Sequence, residues 1–265
     1  MIRTFRPIDA LRKLVDYIWV VDFDFLAEDN RDDLIMPLGH VNVIFNYGSA
    51  YRLMEQEQIT VIPDSVIIGQ IKSAKYVQYG SHLTQIGIAL TPLGLLQLFQ
   101  YPGIQLTEQM VPAACVDAGL DKLYRILIGS TDIDDTLYAI NHYLLYKLEE
   151  LDEKDTSRIE EMLAYVEQEC EQLSIVRMAH HFRVSVSTLE RGFKKDVGLT
   201  PKSYGNIVKF RKHVEMKGRR NWLEHRYYDQ SHLLKAAHKF AGKTIKQLEK
   251  QLPELTLDYL WHGPQ

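Results

Sequence analysis

Cysteine and long apolar runs are both scarce in this chain of 265 residues. The two cysteines, Cys115 and Cys170, exclude a disulfide framework and give no zinc-ligand spacing. No apolar stretch approaches the about 18 residues that a membrane-spanning helix needs. The charged N-terminal segment "MIRTFRPIDALRKLV" lacks the apolar run of a signal peptide. We therefore expect a cytoplasmic protein with no membrane partner.

Motifs of enzymatic chemistry are also missing. The sequence contains no phosphate-binding loop, no dinucleotide-binding glycine pattern and no nucleophile motif. His180 and His181 are adjacent, so on a helix they face different directions and cannot share a metal ion. His40 and His82 could meet on facing strands, but no third ligand accompanies them. The sequence therefore predicts neither enzyme, nor metal site, nor cofactor, and a cupin-type enzyme is a distant alternative.

Basic charge is concentrated toward one end of the chain. Residues 173–250 contain 18 Lys and Arg and 6 Asp and Glu, so the totals of 31 and 35 leave 13 basic and 29 acidic residues elsewhere. A basic segment attached to an acidic body favours a polyanionic partner for that segment. A solvated basic surface without a partner is the alternative.

Up to about residue 115 the chain reads as short strands. Segments rich in β-branched and aromatic residues are separated by turn residues: "VDYIWVVDFDF", "HVNVIFNYG", "ITVIPDSVIIGQ" and "LTQIGIALTP". Several short strands favour a sandwich or a small barrel. The segment "LGLLQLFQ" after Pro92 predicts a short helix.

From about residue 117 the apolar spacing becomes helical, so the fold class is predicted to be α+β. A helix over 134–150 places its apolar side chains on one face, and this face is either a dimer seam or part of the core: Leu137, Ile140, Leu144, Leu145 and Leu148. The charged stretch "LDEKDTS" at 151–157 predicts a boundary, followed by a helix over about 158–168 with a Thr-Ser cap. We therefore expect a β-rich domain at 1–150 with a helical end, an all-α domain at 156–250 and a tail at 251–265.

Two short amphipathic helices follow the boundary. Ser174 and Ser185 are the predicted N-caps, and Gly198 ends the second helix. The first helix has an apolar stripe, and the second buries two residues at a spacing of four: Ile175, Met178, Ala179 and Phe182, then Leu189 and Phe193. Two such helices joined by a tight turn predict a helix-turn-helix.

The opposite face of the second helix carries side chains suited to double-stranded DNA. Arg191 can bridge guanine acceptors and Glu190 can accept from cytosine, with Ser187 beside them on the same stripe. Lys194 and Lys195 are suited to phosphates, which fix register without reading sequence. A compact helical domain with no DNA partner produces similar patterns, so one copy leaves that alternative open.

A second copy of the pattern follows 44 residues later. The matching positions include core and exposed residues: Ser187, Leu189, Arg191, Lys195, Gly198 and Thr200 align with Ser231, Leu233, Lys235, Lys239, Gly242 and Thr244. Repetition of exposed positions disfavours a merely solvated surface. The segment "YYDQSHLLKAAHKFAGKT" is therefore a second candidate recognition helix, joined to the first by "TPKSYGNIVKFRKHVEMK".

These residues resemble the AraC/XylS family of bacterial transcription regulators. The family's first motif is matched by Ala179, Ser185, Leu189, Arg191, Phe193, Gly198, Thr200 and Pro201, and "RYYDQSH" resembles its second motif. The resemblance covers roughly residues 158–250. It implies a bipartite DNA-binding domain of a regulator such as a transcription activator. The implied base-facing residues are Ser187, Glu190 and Arg191 in the first helix and Gln230, Ser231, Leu234 and Lys235 in the second.

The N-terminal half resembles the sensor domain of some such regulators through "IMPLGHVNVIFNYG", "VIIGQ" and "IALTPLGLLQLF". This resemblance implies a cupin-like domain that binds a small-molecule effector, with a second copy of the chain as a candidate partner. His40, Asn42 and Asn46 are then the candidates for its pocket.

The chain departs from the family pattern at several positions. Arg183 and Arg226 replace the usual turn glycines, Ala237 and Ile245 replace a phenylalanine and a proline, and the segment between the copies is short. A non-glycine residue at a left-handed position costs on the order of 1 kcal/mol. An alternative function follows: a regulator-like protein with a decayed second helix-turn-helix, which acts through protein contacts or small-molecule binding without an operator of its own.

Overall fold

The computed structural model describes residues 2–27, 31–55, 58–130, 132–150 and 155–218, the last six by backbone alone. The strands are β1 (Ile2–Phe5), β2 (Val15–Asp24), β3 (Asp32–Ile35), β4 (Val41–Asn46), β5 (Arg52–Glu55), β6 (Gln58–Val61), β7 (Ser65–Ile68), β8 (Lys75–Gln78), β9 (His82–Leu90) and β10 (Met110–Pro112). The helices are α1 (Pro92–Phe99), α2 (Ala118–Leu127), α3 (Ile133–Glu150), α4 (Ser157–Glu169), α5 (Ile175–His181), α6 (Val186–Val197) and α7 (Pro201–Gly218).

The strands form two antiparallel sheets. The larger sheet has the order β1-β2-β9-β4-β7-β10, and the smaller has the order β3-β8-β5-β6. The predicted strand segments correspond to β2, β4, β6 with β7, and β9. The expectation of an α+β chain, with a β-rich cupin-like N-terminal domain followed by a helical C-terminal part, is confirmed. Of the two predicted helix-turn-helices, the first lies within the described residues and the second lies outside them.

Side chains of the larger sheet alternate between two apolar layers. Val43 and Phe45 of β4 belong to the core shared with the helices. Ile44 points the other way, into a second cluster with Val66 and Ile68 of β7. Because successive residues of a strand face opposite sides, one sheet supports both the helical layer and a space between the sheets.

Trp19 shapes the space between the sheets. It pairs with Gly87 across β2 and β9. A Cβ atom at Gly87 would lie 1.9 Å from the Trp19 indole, so the ring crosses β9 where only glycine leaves room. A side chain at position 87 would displace the Trp19 ring, which lines the space between the sheets.

The helical layer covers the opposite face of the larger sheet. The Thr91 hydroxyl accepts from the Gly94 amide at the start of α1, and the Asp117 carboxylate caps α2 through Gly119. In α3, Ile140 and Leu144 are fully buried, and Leu137 packs against the same core. The apolar face of α3 is therefore core, and dimerisation stays a prediction.

One continuous core joins the helices that follow position 155 to the rest of the molecule.

The predicted cap of α4 is partly wrong, since the Thr156 side chain makes no cap hydrogen bond. It accepts instead from Gln97 of α1 at 2.6 Å. Asp155 binds the Ser157 amide at 3.1 Å. The boundary near 151–157 stays a prediction. No helix within the described ranges is both long and apolar enough to cross a membrane.

Candidate nucleic-acid interface and ligand cavity

The helices α5 and α6 form the predicted pair. The Ser174 hydroxyl accepts from the Arg177 amide, and the Ser185 hydroxyl accepts from the Thr188 amide at 3.2 Å. Gly198 ends α6 in the left-handed region at φ 92°. These two serine caps and the glycine C-cap confirm the boundaries that the sequence predicts for the pair.

Burial along α6 separates a core face from a solvent face. Leu189, Phe193 and Val197 are at most 1% exposed. On the other side Ser187, Arg191, Lys194 and Lys195 are exposed and Glu190 is half-buried. Among the described residues, none forms an ion pair with the three cationic side chains. The α6 face (Ser187, Glu190, Arg191, Lys194 and Lys195) therefore offers three cations to an external anion.

The turn between the two helices holds a strained arginine. Arg183 has φ 52°, in the left-handed region that glycine adopts without penalty. Its amide still donates to the His180 carbonyl at 3.1 Å, and Val184 donates to the Ala179 carbonyl at 3.0 Å. The turn therefore keeps its hydrogen bonds, as expected for a non-glycine residue that neighbouring contacts hold in place.

The far end of α6 is packed against the N-terminal part. A Cβ atom at Gly103 would lie 2.5 Å from the Asp196 carbonyl oxygen and 2.6 Å from the Val197 carbonyl carbon. The Thr107 hydroxyl donates to the Gly198 carbonyl at 2.8 Å. The α6 helix is thus held by backbone contact with the segment that follows α1.

His40 lies in a second contact between the two parts, which we call the Arg211 cluster (Asp16, Leu38, His40, Glu167 and Arg211). The Arg211 Nη1 atom donates to the Leu38 carbonyl at 3.1 Å and lies 3.0 Å from His40 Nε2. Its Nη2 atom contacts Glu167 at 2.6 Å. His40 is 3% exposed and also lies 2.7 Å from the Asp16 carboxylate through Nε2. Since one nitrogen cannot donate and accept at once, the Asp16 and Arg211 contacts of Nε2 are alternative hydrogen bonds.

The Arg211 cluster changes the pKa of the Asp16 carboxyl group. Burial alone would raise the pKa of Asp16, but the hydrogen bond and charge of His40, together with the charge of Arg211, outweigh it. The pKa of Asp16 therefore lies below its ordinary value. The carboxylate is the form that the cluster stabilises.

An apolar cavity of about 120 Å³ lies between the two sheets. Its walls come from both sheets and from the loops that join them: Ile2, Trp19, Val21, Asp33, Leu34, Ile35, Met36, Leu38, Asn42, Ile44, Tyr51, Tyr79, Leu83 and Gln85. Most of these side chains are apolar, and a few polar groups converge on the same space. An apolar pocket with a few placed polar groups is the usual form of a small-molecule site.

The polar groups of the cavity include buried side chains. Asp33 is 6% exposed, Gln85 is 2% exposed and Tyr51 is 1% exposed. Within the described part of the chain, the Tyr51 hydroxyl has no hydrogen-bond partner. Burial raises the pKa of Tyr79, and the negative charge of Asp33 and the neighbouring Tyr51 raise it further. The phenol of Tyr79 therefore stays neutral beside Asp33.

The three predicted pocket residues occupy different places. Asn42 lines the cavity. Asn46 is 1% exposed, and its amide donates to the Ser49 carbonyl and to Asp64, so its visible role is to hold a turn. His40 belongs to the Arg211 cluster and is not among the lining residues of this cavity. The sequence pattern missed Asp33, Tyr51 and Tyr79, because they lie on β3, before β5 and after β8 and meet only when the sheets face each other.

The second predicted helix lies outside the described residues, with its candidates Gln230, Ser231, Leu234 and Lys235 and the tail at 251–265. The departures at Arg226, Ala237 and Ile245 lie there too. In the ranges that the structure describes, no group of three His, Cys, Asp or Glu side chains could hold a metal ion.

The chain resembles solved structures of ToxT from Vibrio cholerae. One matches with a TM-score of 0.54 and 8% identity, over 93% of this chain and 99% of its own. Another, ToxT bound to (E)-4-(8-methylnaphthalen-1-yl)but-3-enoic acid, matches with a TM-score of 0.52 and 10% identity, over 98% and 99%. This chain has the fold of ToxT. The AraC-like transcriptional activator CuxR also matches, at 9% identity over 82% and 86%, but its TM-score of 0.26 is too low for a comparison of folds.

Sequence comparison adds one family model. It is described as a domain of unknown function, DUF6597, and it matches residues 3–112, which run from β1 to β10. No curated protein matches the sequence significantly. The ten strands thus correspond to a recognised domain, whereas the helices α2 to α7 lie beyond it.

Proposed function

We propose that the protein is a sequence-specific, DNA-binding transcription regulator of the AraC/XylS family, without enzymatic activity and acting in the cytoplasm. The α6 face carries the proposal, because it combines an exposed arginine, two exposed lysines and a half-buried glutamate on one capped helix. The sequence motif over 179–201 and the fold shared with ToxT support it.

The residues of the α6 face have distinct roles in this proposal. Arg191, Glu190 and Ser187 read base edges in the major groove, where each base pair shows a distinct set of donors and acceptors. Lys194 and Lys195 bind phosphates and fix the register. The second predicted helix supplies Gln230, Ser231, Leu234 and Lys235 to an adjacent segment of the groove.

The cavity supplies the regulatory ligand site in this proposal. It lies in the domain that also contacts α6 through Gly103 and Thr107. A ligand that fits one arrangement of this domain better than another would shift the position of α6 on DNA. The organic acid bound in one ToxT structure supports small-molecule binding by a protein of this fold.

Selection of binding sites from random duplex DNA by the full-length protein tests this function. We expect one enriched sequence. Arg191→Ala should relax the preference at one base position and weaken binding by about 1–3 kcal/mol, whereas Lys195→Ala should weaken binding to all sequences alike. Arg125→Ala changes an exposed arginine of α2 and serves as the control.

The rival function predicts a different outcome. A regulator-like protein that acts through protein contacts or through its ligand alone would enrich no sequence. Arg191→Ala would then change nothing that is measured on DNA. Such a result would contradict the proposed function, and the cavity would then be the remaining candidate for the functional site.

A further inference from the structure

We propose that the sugar-phosphate backbone of one DNA strand lies directly against α6 at Gly192, between two donors that bind its phosphates, the Thr188 hydroxyl and the Lys195 ammonium. This inference rests on the proposed function, and it adds Gly192 and Thr188 to the residues that position DNA. Three features of α6 support it: the open space beside Gly192, the place of that space next to Arg191, and the donors on either side of it.

Gly192 is a glycine inside a helix for which the protein itself gives no packing reason. It lies in the middle of α6 and is exposed. Glycine destabilises a helix interior relative to alanine, because it loses more conformational freedom on folding. A Cβ atom at Gly192 would have no atom of the described residues within 4 Å, apart from its chain neighbours and its own helix backbone. An alanine would therefore fit this position in the unbound protein.

Two other helical glycines show what usually requires glycine in this fold. A Cβ atom at Gly94 of α1 would lie 2.0 Å from the Leu14 carbonyl oxygen. At Gly205 of α7 it would lie 2.5 Å from the Leu173 side chain. Each of these glycines admits the close approach of another group. By the same rule, the open space at Gly192 is suited to a group that approaches from outside the chain.

The open space lies beside the side chain that reads bases in the proposed function. An α-helix turns by about 100° per residue, so Thr188, Gly192 and Lys195 lie within about 60° of one another on one side of α6. All three are exposed, and we call them the α6 flank. Arg191 lies on the adjacent stripe, about 40° from Lys195. With Arg191 directed at base edges in the major groove, the α6 flank meets the backbone of the strand at the edge of that groove.

The α6 flank offers donors on both sides of Gly192. The Ser185 hydroxyl donates to the Thr188 hydroxyl at 2.9 Å, so Thr188 keeps its own proton for an external acceptor. The Lys195 ammonium is exposed. The Cα–H groups of a glycine can approach an oxygen atom to about 3.3–3.6 Å as weak donors. A phosphate oxygen accepts from each of these groups, and a polyanion matches the three cations of the α6 face.

Substitution of Gly192 has opposite effects on the free protein and on its DNA complex. Gly192→Ala should raise the melting temperature of the full-length protein by roughly 2–4 °C, because alanine favours the helix. It should weaken binding by about tenfold, because the new Cβ atom occupies the place of the DNA backbone. Fluorescence anisotropy measures binding to two duplexes of equal length, one with the sequence enriched by the selection and one of random sequence. Backbone contacts do not read sequence, so both should lose affinity alike.

A control variant reverses the exchange away from DNA. Ala164 is exposed and lies inside α4. Ala164→Gly should lower the melting temperature by a similar amount and leave both dissociation constants unchanged. Thr188→Val removes the hydroxyl but keeps the branched shape, and it should weaken binding to both duplexes by about threefold to tenfold.

Three outcomes would overturn the inference. Binding of both duplexes by Gly192→Ala as tightly as by the parent would show that a Cβ atom fits between α6 and DNA, and the open space would then face a protein or solvent. A lower melting temperature of this variant would show that the unbound fold requires the glycine. Unchanged binding by Thr188→Val would remove one of the two donors.

A failure of the proposed function has a different signature. The selection then enriches no sequence, and the parent protein itself shows no preferred duplex. The inference about Gly192 fails by itself only when the parent binds the enriched duplex and the Gly192→Ala protein binds it equally well. The two failures are therefore distinguishable.

Discussion

The Nε2 atom of His40 lies 3.0 Å from the guanidinium of Arg211, and this contact joins the segment before β4 to the helix that follows α6. The Arg211 side chain is 13% exposed and also binds Glu167 of α4 at 2.6 Å. One arginine thus connects the strand-rich part to two helices of the C-terminal part, α4 and α7. The proposed regulator can transmit a change in the first part to the second through this side chain.

We expect Arg211→Met to destabilise the contact between the two parts by about 1–3 kcal/mol, because it retains the apolar stem but removes the guanidinium from the half-buried Glu167, which among the described residues keeps only the Lys212 ammonium at 3.6 Å. Urea unfolding followed by intrinsic fluorescence measures the change. Arg125→Met alters an exposed arginine and is the matched control. Equal urea midpoints for the Arg211 and Arg125 variants would contradict this role.

The pH dependence of Asp16 follows from its lowered pKa. Because the folded-state pKa lies below the ordinary value of 3.8, the ionised carboxylate stabilises the fold above that value, and this contribution is lost as the pH falls through the folded-state pKa. Asp16→Asn should therefore be less stable than the parent at pH 6, and the gap should narrow below about pH 4. Urea unfolding at pH 6, 4 and 3 measures it, and a gap that widens toward acid would contradict the assignment.

Arg183→Gly should stabilise the protein by about 1 kcal/mol, because it relieves the left-handed backbone at φ 52°. The lost arginine side chain is exposed, so little packing is removed. Thermal unfolding compares this variant with Arg177→Gly, which places glycine in the α5 helix and should destabilise the protein by a similar amount. A destabilised Arg183→Gly protein would show that the arginine side chain contributes more than the strain costs.

Gly103→Ala should loosen the contact between α6 and the strand-rich part. The new Cβ atom would meet the Asp196 and Val197 backbone at 2.5–2.6 Å, so one of the two segments must move. We expect a loss of about 1–3 kcal/mol in unfolding free energy, as for overpacked sites. Gly129→Ala, whose Cβ would come no closer than 3.7 Å to another atom, is the control. Identical unfolding curves for the two variants would contradict the contact.

Local sequence patterns predicted the strands whose residues alternate between apolar and polar and the helices whose ends carry capping residues. The alternation in β4 and β9 and the caps of α5 and α6 depend on neighbours in the sequence, so Ser174, Ser185 and Gly198 could be assigned. The short strands β1, β3, β5, β8 and β10 have three or four residues each, too few for a periodic pattern. They are strands because they pair with segments from elsewhere in the chain: β1 with β2, β10 with β7, and β8 with both β3 and β5.

The cavity and the Arg211 cluster depend on contacts between distant segments. Arg211 and His40 are 171 positions apart, and no local pattern relates them. Asp33 and Tyr51 lie on different strands or loops of the smaller sheet, whose order is not sequential. His40 and Asn42 are two positions apart, so strand alternation alone would place both on one face; His40, which precedes β4, instead contacts Asp16 and Arg211, whereas Asn42 lines the cavity.

The most direct test of the regulator is fluorescence anisotropy of the full-length protein on DNA from upstream of its own gene, across a salt series. The account predicts tighter binding to one upstream fragment than to unrelated DNA of equal length. The logarithm of the binding constant should fall linearly with the logarithm of salt concentration, by about 0.9 for each phosphate contact. Absence of binding to any fragment, even at low salt, would contradict the account.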